Sequence, residues 1–369
     1  MDKKARTNGI VAAAMSGGVD SSVAAALLKD EGFDVIGLTM NLFALPEEDC
    51  TSEHLRSCCG WKAREDANRV AAALGIPHYI VDLRREFEQN VIQDFCREYG
   101  RGRTPNPCIR CNQFIKFGLL FERARRLGAA FVATGHYARI DLDPATGRRL
   151  LKKGTDAGKD QSYFLYALTQ DDLSRALFPV GGRTKAEIRK LARRYGLPVA
   201  DKPESQEVCF IPDDDYPAFL RNRVPAAFRP GPIVDLEGRT IGEHGGIVHF
   251  TIGQRKGMRI AAPRPLYVVA IDPERNTVVA DEREALTRRR LEATAVNWIS
   301  VETLDAPKWT RARIRYKHDE APALISPLDR TRVLVEFEKA QRAVTPGQAV
   351  VFYDGDVVIG GGVIDRVLD

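Results

Sequence analysis

Several features are missing from this 369-residue chain, and each absence narrows what it can be. No hydrophobic run approaches the roughly 18 apolar residues that a membrane span requires, so no membrane role is expected. Met1-Asp2-Lys3-Lys4-Ala5-Arg6 leads straight toward an apolar stretch without a signal-peptide core, which points to a cytoplasmic protein. Charge of one sign does not dominate: the formal net charge is +5, which permits a nucleic-acid partner without demanding one. Seven cysteines, an odd number in such a chain, read better as catalytic or metal-binding than as a disulfide framework. Two common nucleotide-binding signatures are also missing, since neither G-K-[ST] nor G-x-G-x-x-G occurs at the glycine-rich turn near the N-terminus.

What is there begins with that turn. Met15-Ser16-Gly17-Gly18-Val19-Asp20-Ser21-Ser22 follows the apolar run Ile10–Ala14 and precedes a helix-like segment that stops at Gly32. A buried strand, a tight polar turn and a helix start are the ingredients of an anion site. Small residues let backbone N–H groups approach phosphate oxygens, and the helix dipole favours negative charge. The hydroxyls of Ser16, Ser21 and Ser22 can donate further bonds.

From Ile10 to about Ala200 strands and helices alternate. Strands are expected at Val35–Met40, His78–Val81 and Phe131–Thr134, and helices at 61–74, 86–99 and 115–127. This pattern predicts a parallel sheet covered on both faces, with ligands beyond the carboxyl ends of its strands. After about Cys209 short β-rich runs take over, including 231–234, 247–250, 266–271, 277–280, 296–299, 310–316, 332–337, 349–353 and 357–364. They suggest a small C-terminal barrel. Boundaries are expected near 205 and 285, giving domains 1–205, 206–285 and 286–369.

Two further stretches carry chemistry. Gly102–Asn112 (GRTPNPCIRCN) joins two expected helices, and its two prolines make it a rigid loop. Cys209 lies far along the chain in Glu204–Pro212 (ESQEVCFIP). With S-G-G-V-D-S-S, P-N-P-x-x-x-C-N followed by Ile115-Lys116-Phe117, A-T-G-H-Y-A-R (133–139), G-K-D-Q-S-Y-F-L (158–165) and T-I-G-Q-R-K-G (251–257), the chain resembles the tRNA-specific 2-thiouridylases. These are members of the N-type ATP pyrophosphatase superfamily.

The resemblance implies an α/β fold: an N-terminal doubly wound parallel sheet, a small β-rich central domain and a C-terminal tRNA-contacting β-barrel. It implies sulfur replacing the 2-oxygen of the wobble uridine in the tRNAs for lysine, glutamate and glutamine. That oxygen is a poor leaving group, so ATP adenylates it, with Mg²⁺ and loop amides neutralising the phosphates. Ala14, Met15, Ser16, Gly17, Gly18, Val19, Asp20 and Ser21 would hold the nucleotide phosphates, and Met40 and Gly135 the adenosine. Cys209 would carry the incoming sulfur as a persulfide, supplied by a cysteine desulfurase and its relay. Cys111 would be the nucleophile that releases it, leaving a Cys111–Cys209 disulfide to be reduced. Thiolates do this chemistry, so a locally positive, semi-exposed site is expected. Asn106, Pro107, Cys108, Lys159, Asp160, Gln161, Arg315 and Tyr316 would contact tRNA.

At one position the chain departs from the commonest family pattern: Cys108 stands where many members have an aspartate. A thiol there could replace the acid or base. Alternatively Cys108, Cys111 and Cys209 form three thiolates suited to a [4Fe–4S] cluster with one open iron. Both routes stay open on sequence alone, as does a harmless replacement. Cys50, Cys58 and Cys59 with His54 have zinc-like composition, but adjacent Cys58 and Cys59 cannot easily share one tetrahedral metal. No metal is expected there, and a redox or substrate-proximal role is left open. Cys96 fits a helix core.

Near the C-terminus, Arg311, Arg313, Arg315 and Lys317 alternate with Ala312, Ile314 and Tyr316. On a strand this puts four cations on one face, able to follow a phosphate backbone, and Tyr316 could stack on a base. Arg255 and Lys256 are a second basic pair. The main rival reading is another pyrophosphatase-loop ligase that adenylates a small molecule. A tRNA-binding protein with a relic nucleotide site is a third.

Overall fold

The computed structural model describes residues 9–43, 61–203, 208–211 and 215–368. Cys50, His54, Cys58, Cys59 and the Glu204–Glu207 part of the Cys209 motif lie outside the described residues. By internal contacts the chain forms two compact units, one of Met1–Val91, Cys108–Asp214 and Gly355–Val358, the other of Ile92–Pro107, Asp215–Asp354 and Ile359–Asp369.

The first unit is built on a five-stranded sheet. Its spatial order is His78–Asp82, Asp34–Asn41, Ile10–Ala14, Ala129–Ala133, Ala176–Leu177, and every pairing is parallel. The central strand, IVAAA, is buried and small, which lets the alanine-rich helix Val19–Asp30 pack closely. Val11, Ala13, Val23, Ala24, Leu27, Val35, Ala67 and Val70 belong to one buried cluster. The strand order runs outward from Ile10–Ala14 in one direction and then resumes on its other side. The carboxyl ends of Ile10–Ala14 and Ala129–Ala133 therefore flank the point where the order reverses, the place where such sheets bind ligands. The expected helix at 86–99 and the segment after Pro107 keep their helical character but not a uniform period. Glu88–Ile92 and Cys111–Leu119 are π-helical, flanked by α-helical Arg84–Phe87, Gln93–Gly100, Pro107–Arg110 and Leu120–Arg126.

The second unit contains a four-stranded sheet, ordered Tyr267–Asp272, Thr277–Asp281, Gly231–Val234, Thr240–His244. It also contains a barrel of Thr287–Trp298, Val333–Arg342, Ala321–Pro327, Lys308–Arg313, Ala349–Asp354 and Val357–Val367, closed by pairing of the last strand with the first. Closure leaves these strands no free edge. The long first strand serves both neighbours through a bulge at which Ala295 takes φ +50. Leu291, Ile314, Ile325, Val335, Phe352 and Ile364 fill the interior.

Four expectations change here. Ile247–His249 is a 3₁₀ turn, not a strand. Gly246 at φ +140 breaks the extended run, and His244 Nδ1 accepts its N–H at 3.0 Å. The strand expected at 310–316 ends at Arg313. Ile92–Pro107 groups with the second unit rather than with the unit built on the parallel sheet. Phe95 and Tyr99 pack on Phe219 and Tyr216, Arg103 binds Asp365 at 2.8 Å, and Gln348 Nε2 donates to the Thr104 carbonyl at 2.9 Å. Cys96, on this helix, is half-buried rather than core.

Candidate active site

The turn after Ile10–Ala14 is built from backbone. Met15 N–H donates to Leu38 O at 2.8 Å, and the Thr39 hydroxyl donates to Met15 O at 2.8 Å. With that proton used, His78 Nε2, 2.8 Å from Thr39 Oγ1, is the donor of its pair. Gly17 takes φ +67, and a Cβ there would lie 2.2 Å from Ala63 O, so no other residue fits. Gly18 is the N-cap of Val19–Asp30 and offers no side-chain cap. Ser16 N–H donates to Ser21 Oγ at 3.2 Å. The Ser21 and Ser22 hydroxyls, expected to face an anion, donate instead to Gly18 O at 3.2 and 2.7 Å. Ser22 is fully buried and is part of the helix start, not a ligand.

Other motifs converge on this turn. Gly135 follows Ala129–Ala133 and lies against the same helix, where a Cβ would meet Ser21 N at 2.6 Å. Tyr137 OH donates to Asp20 Oδ1 at 2.7 Å. Lys185, at the start of the helix Lys185–Arg194, reaches both Asp20 oxygens at 2.7 and 2.8 Å. Gln161 holds the Tyr137 backbone from both sides: its Oε1 accepts Tyr137 N–H at 3.0 Å and its N–H donates to Tyr137 O at 2.9 Å. Asn112 Nδ2 donates to Phe164 O at 3.0 Å and its Oδ1 accepts from Lys116 at 3.0 Å. His136, 2.7 Å from the Thr134 hydroxyl, is buried with Phe117 and Phe178 beside it. Burial, and then the Lys116 charge, hold it well below the usual imidazole value. Four of the sequence motifs thus meet within the first unit.

Asp160 has a different task from the expected tRNA contact. It is only 5% exposed, and its carboxylate accepts from Gly154 N, Ser162 N and Ser162 Oγ at 3.1 Å each. It shapes the loop from inside, while Lys159 is half-buried. Met40, at the end of Asp34–Asn41, is half-buried.

The cysteines differ in surroundings. Pro107 opens a helical turn, Cys108 on that turn is exposed, and Cys111 begins the π-helix at 8% exposure. Cys111 is therefore more enclosed than the semi-exposed site expected. Cys209 is half-buried, next to Phe210, which packs edge-to-face on Phe87 at 5.6 Å.

Comparison with known proteins gives these residues a context. A family profile described as the tRNA methyl transferase HUP domain matches residues 9–213. A tRNA methyl transferase PRC-barrel domain matches 217–281, and an aminomethyltransferase beta-barrel domain matches 288–364. A tRNA-specific 2-thiouridylase of Heliobacterium modesticaldum is 55% identical over 97% of this chain and 93% of its own length. The chain belongs to the tRNA-specific 2-thiouridylase family. A second member, from Caldanaerobacter subterraneus, is 52% identical over 97% of this chain and 98% of its own. A solved 4-thiouridine synthetase–RNA complex with bound ATP shares 19% identity, covers 59% of this chain and 50% of that one, and superposes with a TM-score of 0.36. It is too distant to inform the site.

Within this 2-thiouridylase-family chain nothing supports the iron–sulfur alternative. Among the described residues no group of three His, Cys, Asp or Glu side chains is placed to hold a metal ion. Cys108 is exposed, Cys111 is 8% exposed and Cys209 is half-buried.

Lys185, Lys202 and Asp66 are the functional candidates that sequence reading missed. For Lys185 the one available signal was the Thr184-x-x-Glu187 capping box that marks the helix start it sits on.

In the second unit, the expected row of cations is only partly available. Arg313 Nη2 binds Glu320 Oε1 at 2.8 Å and its guanidinium lies 5.2 Å from the Tyr353 ring centre. Arg315 and Tyr316 lie past the strand end and are half-buried, and Arg315 donates to Arg342 O at 3.2 Å. Arg311, Lys317, Arg255 and Lys256 are exposed, as is Trp309 at 62%. Asn106 is half-buried and Pro107 buried.

Proposed function

We propose that this chain is a tRNA 2-thiouridylase that uses ATP to activate C2 of the wobble uridine and then replaces its oxygen by sulfur. The observation that carries the reading is a chain of contacts linking four motifs to the glycine turn at the sheet's reversal point: Tyr137 bonds Asp20, Gln161 bonds Tyr137, and Asn112 bonds Phe164 of the Gln161 motif. Backbone N–H groups of Gly17 to Ser21 cradle the β- and γ-phosphates. Met40 and Gly135 take the adenosine, an apolar and a backbone contact that suit a purine. Magnesium commonly takes one or two carboxylates with substrate phosphates, and Asp20, whose oxygens accept from Lys185 and Tyr137, is the carboxylate that would reach it. When bound, that ion would neutralise charge on the departing pyrophosphate. Lys185 and Tyr137 hold Asp20 in orientation.

The uridine O2 attacks the α-phosphorus, pyrophosphate leaves, and the base becomes an adenylate. The terminal sulfur of a Cys209 persulfide, delivered by a cysteine desulfurase relay, adds at C2. AMP leaves with the original oxygen, and the Cys111 thiolate attacks the Cys209 sulfur to free the new C–S bond. An external reductant restores the two thiols. His136 is neutral and enclosed, which suits a shape-defining rather than a proton-moving role. Lys159, Asn106, Pro107, Arg315 and Tyr316 contact tRNA, and Cys108 stands near the target base. The tRNAs for lysine, glutamate and glutamine are the substrates, and the site of action is the cytoplasm. No helix among the described residues is long and apolar enough to cross a membrane.

The test is release of AMP and pyrophosphate from Mg-ATP, with and without a glutamate tRNA transcript. Release that requires the tRNA supports the reading. Turnover driven by ammonia or a small amine instead would support the rival ligase.

A further inference from the structure

Lys202 Nζ donates to the carbonyl of Gly17 at 3.0 Å and to Asp66 Oδ2 at 2.6 Å. Asp66 lies on the helix Trp61–Leu74, is 4% exposed and has Arg69 as its second cationic partner. Burial alone would raise its carboxyl, but the hydrogen bonds and charges of Lys202 and Arg69 hold it below the ordinary value. An ionised, enclosed carboxylate therefore clamps the lysine. Gly17 itself rests on the same helix, with Ala63 O where a Cβ would stand.

The consequence follows from the peptide plane. The chain has no cis peptide bonds, and in a trans peptide the C=O and N–H point in opposite directions. Tying the Gly17 carbonyl to Lys202 turns the Gly18 N–H away from that lysine. Among the described residues this N–H has no acceptor, and Gly18 is half-buried, so it remains available to an anion. A peptide between two glycines can flip at little steric cost. The flip would replace a donor by a carbonyl oxygen where phosphate oxygens are bound.

We infer that Lys202, clamped by Asp66, is a positioning residue of the pyrophosphate loop. It locks the Gly17–Gly18 peptide in its anion-accepting orientation from the carbonyl side and is not itself a phosphate ligand. The inference rests on the reading of this loop as the ATP site. It also explains why a lysine and a buried carboxylate sit together beneath a turn that is otherwise all small residues.

The experiment compares binding of Mg-ATP and of AMP by calorimetry, with thermal melting, for the wild-type chain and for Lys202→Met, Lys202→Arg and Asp66→Asn. Lys202→Met is expected to weaken Mg-ATP about tenfold or more, the equivalent of one charge-assisted hydrogen bond, and to leave AMP within about twofold. Lys202→Arg, which keeps a donor for Gly17 O, should recover most of the loss. Asp66→Asn should weaken Mg-ATP in the same direction, because the lysine loses its clamp. A lysine that binds phosphate directly would instead be freed by Asp66→Asn, and unchanged or tighter Mg-ATP binding there overturns the inference. So does a parallel loss of ATP and AMP affinity with a lowered melting temperature. If Lys202→Met does not fold, Lys202→Arg against Asp66→Asn decides by the same signs. Failure of the wild-type chain to bind Mg-ATP would overturn both the inference and the reading of the loop.

Discussion

In the first unit the decisive groups converge on a turn whose shape is set by glycine, and charged side chains such as Lys185 and Lys202 brace it. In the second, the groups expected to meet RNA stand along and just past a barrel strand, and their neighbours in the fold have already engaged some of them. Arg313 is the clearest case, since Glu320 and Tyr353 hold it. The difference teaches that a backbone anion site is legible from small residues in a strand–turn–helix context, because few other uses suit that combination. A cation on a strand has several possible uses, and only the fold shows which one it serves.

The contrast can be broken or sharpened by experiment, beginning with the largest effect. Cys111→Ala should reduce thiolation by about three orders of magnitude or more while leaving ATP binding intact; normal thiolation would remove Cys111 from the chemistry. Asp20→Ala should slow adenylation by roughly a hundredfold to a thousandfold, because a preorganised charge beside the phosphates is lost. Pyrophosphate release at the wild-type rate would contradict that. In the barrel, Arg313→Met leaves Glu320, 9% exposed in its side chain, without its close cation partner. A stability loss of about 3 kcal/mol in urea unfolding is expected, with no change in the salt dependence of tRNA binding. Arg315→Ala should do the reverse, lowering the slope of log affinity against log salt by about one and barely changing stability. If both variants change the slope equally, the assignment of Arg313 to the fold and of Arg315 to tRNA fails.

A smaller effect is read by pH. His136 is held below its ordinary value by burial and by Lys116, so its folded pKa is depressed. Above the unfolded value near ~6.5 the imidazole is neutral in both states and the contribution is fully present. As pH falls below that value the unfolded chain takes up the proton first, and stability drops by up to ~1.4 kcal/mol per pH unit for this group. His136→Asn should flatten that acid limb for the first unit; an unchanged limb would assign it to other groups, of which His78 is one.

Much of the architecture was legible in the sequence. The alternation to about Ala200 announced the parallel sheet, and the short strands after 285 announced the barrel, because both follow from burial periodicity. What escaped has physical causes. The π-helical stretch from Cys111 keeps an apolar face much like an ordinary helix, so its altered hydrogen bonding leaves no sequence signature. Gly246 turned an apolar run into a 3₁₀ turn through backbone freedom alone. Asp160 reads as a charged loop residue, yet three inward donors bury it. Lys202 and Asp66 are far apart in sequence, and only the fold makes them one clamp.

The account's central claim is that this chain exchanges oxygen for sulfur on the wobble uridine by way of Cys111 and Cys209. The most direct test is mass spectrometry of the nucleosides from a glutamate tRNA transcript. The transcript is incubated anaerobically with iron-free protein, Mg-ATP, a persulfide donor and a thiol reductant. The account predicts a wobble uridine whose mass rises by the difference between one sulfur and one oxygen, in the wild type and not in Cys111→Ala or Cys209→Ala. An unmodified uridine, a methylated one, or thiolation that appears only after iron is restored would contradict it.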